Sequence, residues 1–242
     1  MVKLDENKKS YANLIREMES LKGFKIIHDM ELLKITNQIF SMNFMQLCYV
    51  IDMYEKDPEL AFLCNRQKLN EINLEILRLF HNYSASSFTL IRHSSVFKDN
   101  LKNENVSMFY DNELEKLKNI EVVDFMKDLR NYIQHYSFPV SSRQVSVKMI
   151  EGTDSYEMEQ KILLRLQSLL AWDGWKSKGK AYLKQFNDDI EIKLFCKEYY
   201  EYITKFNKAF FEMLAKEYEK DIYELQEFQN NMNKLYPPPS KL

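Results

Sequence analysis

Apolar residues recur at helical spacing along most of this chain. Leu14, Ile15, Met18 and Leu21 predict a first helix over residues 5–21, ended by Gly23. Residues 24–27 read as a short extended piece. From Met30 to about Tyr54 the run Leu32, Leu33, Ile35, Ile39, Phe40, Phe44, Leu47, Tyr49, Val50 predicts a buried helix that stops before Pro58. Asn65 or a neighbour then caps a long helix over about 67–97, with a core face of Leu74, Leu77, Phe80, Ser84, Ser87, Phe88 and Ile91.

A polar stretch over 98–105 separates this helix from two shorter ones, about 108–118 and 121–137, the second ended by Pro139. Strict alternation then replaces the helical period. Val145, Val147 and Met149 alternate with Ser146 and Lys148, and Gln160, Ile162, Leu164 and Leu166 are spaced likewise, so a small β-hairpin is expected. Trp172 and Trp175 precede a Lys-rich helix to about Phe186. Asp188 or Asp189 opens a very long helix whose stripe runs Phe195, Tyr199, Tyr202, Phe206, Phe210, Met213, Ile222, Leu225, Phe228, Met232, Leu235. Residues 190–214 of it read as core, and the part past about 215 as core or as a coiled coil on a partner. Pro237, Pro238 and Pro239 end the pattern.

These elements predict an all-α fold with a β-hairpin insertion and a long C-terminal helix. One domain over residues 1–242 is expected, with N-terminal helices over 1–66, a core over 67–138, the hairpin over 139–170 and C-terminal helices over 171–242. With 45% hydrophobic and 29% charged residues, the chain can bury a substantial core. Only 4 glycines and 5 prolines occur, which argues against phosphate-cradling glycine loops. The charged first residues and the lack of a long apolar run predict no signal peptide, no membrane span and a cytoplasmic location. Cys48, Cys64 and Cys196 are too far apart for a zinc motif and read as buried thiols, so neither metal nor cofactor is expected. A net charge of −2 gives no global attraction for nucleic acid, and any phosphate binding must be local.

The residues with chemistry to offer lie on the 121–137 helix. Its core face is Phe125, Leu129, Tyr132, Ile133 and Tyr136, and Asp128, Asn131 and His135 gather opposite, with Arg130 at the flank. Asn131 and His135 are one turn apart, and the long Arg130 side chain can bend toward them. An ordinary solvated face is the plain alternative.

The string Leu129-Arg130-Asn131-Tyr132-Ile133-Gln134-His135-Tyr136 resembles the hallmark of the HEPN superfamily of all-α proteins: an Arg, a polar residue, three more positions and a His near a helix end. The preceding helix, His81-Asn82-Tyr83-Ser84 through Arg92-His93, also looks like its HEPN counterpart. The resemblance covers about residues 67–138 and implies a HEPN-like helical bundle with Arg130, Asn131 and His135 as catalytic residues. Many such proteins are metal-independent endoribonucleases that work as dimers, some of them toxins or phage-defence effectors held by an antitoxin or regulatory protein. Members without catalysis bind RNA or protein, and they usually lack the Arg or the His that this chain keeps.

Such chemistry suits the residue types. A histidine, with an unperturbed pKa near 6.5, can serve as base or acid, and an arginine can clamp a phosphate with two hydrogen bonds. One motif supplies one histidine while acid and base are two roles, so a homodimer acting on RNA is predicted. Trp175, Lys176, Lys178 and Lys180 interleave aromatics with cations, as a single-stranded RNA track does, and with Asp128 they are the candidate RNA contacts. A solvated lysine face is the preferred reading of that run. The rival function is a noncatalytic helical module that binds RNA or a protein.

Overall fold

A computed structural model describes residues 10–61, 66–139, 141–152 and 155–237. The fold is mainly helical with one small antiparallel sheet, as the periodicity predicted. The described residues within Met1–Ile35 and Ala209–Leu242 form one compact unit, and those within Thr36–Lys208 another. The boundaries fall inside the helices α2 (Lys22–Lys56) and α9 (Ile192–Glu217).

In the first unit α1 (Tyr11–Ser20) packs on α10 (Glu219–Leu235), with Tyr11 and Tyr236 edge to face at 5.2 Å. Ser10 caps α1 by accepting from the Asn13 N–H. Gly23 does not end the first helix, and residues 24–27 are helical rather than extended. Leu21 is the C-cap of α1, and Gly23 lies in the opening turn of α2. The glycine is needed for approach, since a Cβ there would run into the Asp221 carbonyl of α10. Lys22 pairs with Asp221 at 2.8 Å beside it. The long C-terminal helix of the sequence reading is two helices, α9 and α10, separated at Tyr218.

In the second unit the short α3 (Pro58–Ala61) follows α2, and α4 (Arg66–Leu101) carries a buried stripe of Ile76, Phe80, Tyr83, Ser87, Leu90, Ser94 and Phe97. The intervals alternate four and three, the heptad spacing of helices packed along their length. The predicted core face shares Phe80 and Ser87 with it, and the buried Ser84 lies beside it, but the face is otherwise turned: Leu74 is 69% exposed, while Leu90 is fully buried. Hydroxyls serve well in this stripe because each bonds back to its own helix, as Ser87 Oγ does to Ser84 O at 2.7 Å and Ser94 Oγ to Leu90 O at 2.8 Å. Tyr83 donates to the Cys196 carbonyl of α9 at 2.8 Å.

α5 (Glu104–Lys118), capped by Asn103, and α6 (Glu121–His135) both appear near their expected positions. The hairpin also forms, as β1 (Ser141–Met149) against β2 (Tyr156–Leu164), with Gly152 in the left-handed region at its turn. A third strand, β3 (Ile190–Glu191), pairs with Leu163 and Leu164. Asp189 does not cap the helix after it. Its carboxylate accepts from the Leu166 N–H at 3.0 Å and from Ser142 Oγ at 2.6 Å, tying the sheet to α7 (Leu166–Leu170). The Lys-rich segment forms α8 (Ser177–Leu183).

Candidate functional site

α6 has two covered faces. Val122, Phe125, Met126, Leu129, Tyr132 and Ile133 point into the core, as the wheel predicted, but Tyr136 lies past the helix end and is exposed. Phe125 stacks on Trp175 at 5.5 Å and meets Tyr182 of α8 at 4.9 Å and Phe195 of α9 at 5.5 Å. This aromatic knot holds α8 across the flank of α6, and a face expected to be open is closed.

Asp128 is where that closure shows. It is 1% exposed, not on an open face with His135. Its Oδ2 accepts the Lys176 N–H at 2.7 Å, and Oδ1 is buried without a hydrogen-bond partner. Burial raises its carboxyl above the usual carboxylate range, and the Lys176 N–H opposes that rise. Gly179 permits the approach, because a Cβ on it would stand 2.6 Å from Asp128 Oδ2.

The aromatic and basic run is likewise divided by packing. Trp175 is 8% exposed and donates Nε1–H to the Leu169 carbonyl at 2.7 Å, so its ring is committed to the core and not to a base. Lys178 donates to the Lys118 carbonyl at 2.8 Å and to Asn119 Oδ1 at 2.7 Å, closing the end of α5. Lys176 and Lys180 are exposed.

Arg130 turns onto α4, its guanidinium 4.5 Å from the centre of the Phe88 ring. Nε is buried without a hydrogen-bond partner, and no carboxylate pairs with the side chain among the described residues. Its charge reaches the buried Tyr199, whose hydroxyl is raised by burial and lowered by its bond to Ser87 and by Arg130. Asn131 is half-buried, and His135 stands exposed at the last position of α6. Asn131 and His135 share a side of the helix, while Arg130 lies about 140° round from His135. One chain therefore leaves the guanidinium against α4 and the imidazole at the exposed end.

Beside the motif's end lies a cleft that the sequence reading missed. Leu74, Leu77, Arg78, His81 and Phe138 line about 320 Å³ of almost wholly apolar space, with His81 and Phe138 6.5 Å apart. Phe138 follows His135 by three residues, and the exposed Leu74, taken for core together with the half-buried Leu77, was the available signal. Arg78 is held to Glu75 at 2.6 Å, and His81 is the other polar side chain of the lining.

Cys48 is half-buried and Cys196 buried, both as free thiols; burial pushes Cys48 up to about 11 and Cys196 well above the ordinary range. Cys64 lies outside the described residues. Among the described residues no group of three His, Cys, Asp or Glu side chains is disposed to hold a metal ion, and no helix is long and apolar enough to cross a membrane. No protein-family model, no curated protein and no solved structure matches this chain.

Proposed function

We propose that this chain is a metal-independent endoribonuclease of HEPN type that acts in the cytoplasm as a homodimer, in the manner of a toxin or phage-defence effector. The supporting observation is Arg130: a partly buried cation, backed by an aromatic ring and without a carboxylate partner among the described residues, favours an anion from outside. A phosphodiester is an anion that an imidazole brought alongside by a second copy acts upon in this reading.

In this reading His135 of one copy takes the proton from a ribose 2′-hydroxyl, whose oxygen attacks the adjacent phosphorus. The bond to the 5′-oxygen breaks, His135 of the other copy returns a proton to that oxygen, and a 2′,3′-cyclic phosphate remains. Arg130 stabilises the charge that grows on the phosphoryl oxygens, and Asn131 orients the phosphate or the imidazole. DNA, lacking the attacking hydroxyl, is not cut. The apolar cleft at Leu74, His81 and Phe138 offers room for a base unstacked from the strand.

Cellular RNA incubated in chelator with the wild type and with an Arg130→Ala, His135→Ala double variant tests this reading. Cleavage by the wild type alone, leaving cyclic phosphate ends, is the expected result. RNA binding without cleavage by either protein would favour the noncatalytic module instead.

A further inference from the structure

α2 is apolar on two faces, and solvent meets one of them. Phe40, Leu47, Ile51 and Tyr54 are buried, with Phe40 5.3 Å from Tyr83 of α4 and Phe44 stacked on Tyr200 of α9 at 4.1 Å. On the other side Ile39, Met42, Met45, Tyr49 and Met53 are each half exposed or more. Ile39, Met42, Gln46, Tyr49 and Met53 make the intervals three and four of a heptad seam, and Met45 flanks it. Residues 36–51 contain no Asp, Glu, Lys, Arg or His. A helix apolar all round is normally buried on every side, and an exposed one normally carries charge.

We propose that the exposed face of α2 is a two-fold interface with a second copy of this chain, with Gln46 at the axis. A heptad stripe fits another helix, into whose grooves its ridges pack. The absence of charge argues against nucleic acid, and against a lipid surface, where an interfacial helix carries flanking Lys and Arg. For self-association the same absence is an advantage, since a charge close to the two-fold axis would face its own like-charged copy. Gln46, the polar member of the stripe, lies midway between Ile39 and Met53. At a two-fold axis its amide meets its own copy, and a primary amide both donates and accepts.

The area is of the right size. Five side chains exposing on the order of 100 Å² each, with Gln46 and the flanks of the helix, approach the roughly 800 Å² per partner of a stable interface. The inference gives the two-chain arrangement proposed above a surface, but its physical basis is α2 alone.

Sedimentation equilibrium of the full chain, without RNA, from about 1 to 100 µM tests it. The wild type is expected to dimerise. Met42→Glu should weaken the dimer by about 100-fold or more, because it places a carboxylate in the seam. Gln46→Glu sets two carboxylates together at the axis and should weaken it by about tenfold or more, with partial recovery in high salt. Both positions are exposed, so the helical circular dichroism should be unchanged, and Met149→Glu, at an exposed apolar residue of β1, should leave association as it was. A wild type that stays monomeric across this range overturns the proposal. So does a dimer indifferent to both α2 variants. A dimer indifferent to both variants leaves the two-copy nuclease reading standing on another surface, a monomeric wild type removes its second histidine as well, and that reading fails separately if a dimeric wild type leaves RNA intact.

Discussion

The Lys176 backbone N–H donates to Oδ2 of Asp128 at 2.7 Å, joining the start of α8 to the middle of α6 through a carboxylate shut away from water. The bond fixes the flank of the helix that carries Arg130 and His135. It depends on Gly179, whose lack of a Cβ leaves room for the carboxylate.

Gly179→Ala should therefore destabilise the protein by about 1–3 kcal/mol, the usual range for overpacking a filled site. The added methyl meets Asp128 Oδ2 at 2.6 Å and the Phe125 backbone at 3.5 Å, and the carboxylate cannot yield without leaving Lys176. Urea unfolding would show it as a lower midpoint with unchanged slope. An unchanged midpoint would mean that α8 can lift from α6 at no cost.

Asp128 also predicts a pH dependence. Its carboxyl is raised in the folded protein, chiefly by burial, so the folded state holds the proton more tightly than the unfolded chain does. The associated stability is complete below the unfolded value of about 3.9 and is lost as pH rises through the folded value. Asp128→Asn keeps the shape and an acceptor for Lys176 but cannot ionise. Relative to wild type it should gain stability as pH is raised from about 3.5 to 7. A difference that is flat, or that moves the other way, contradicts the stated role of burial.

The turned face of α4 sets up a paired comparison. Leu90→Ala empties a fully buried position and should cost about 2–5 kcal/mol, whereas Leu74→Ala, at a residue 69% exposed, should stay within about 0.5 kcal/mol. Thermal unfolding of the two variants side by side is enough. Equal losses would restore the face first read from the periodicity.

Phe88→Leu retains apolar bulk but removes the ring beneath the Arg130 guanidinium. Loss of the cation–π contact should cost about 0.5–1 kcal/mol of stability. If Arg130 clamps phosphate, RNA cleavage should fall by about tenfold or more, since a loosened guanidinium no longer holds its geometry. A variant that cuts RNA at the wild-type rate would separate Phe88 from the site.

The helices were legible because burying one face of each is what spaces their apolar residues, and α5, α6 and the hairpin lie close to where that spacing put them. What the spacing does not contain is the identity of the neighbour. Asp128 sits at the angle of an open face, yet α8 lies across it, and only the pairing of Gly179 with that carboxylate reveals the contact. Trp175 reads equally as a stacking platform or as a core ring until Phe125 and the Leu169 carbonyl are placed around it. On α4 the exposed Leu74 and the half-buried Leu77 drew the predicted face toward them, while the true stripe uses serines that satisfy themselves on their own helix. Gly23 shows the limit of local rules, since its role is set by Asp221 in a helix far along the chain.

Arg130 links folding to the ionic content of the solution. A guanidinium partly withdrawn from water, with no carboxylate partner among the described residues, costs the native state something that an anion meeting its outer nitrogens gives back, and the unfolded chain presents no such site. The melting temperature should then climb with added inorganic phosphate, and less so for Arg130→Ala. Stability itself thereby becomes a gauge of occupancy at this position, readable before any substrate is known.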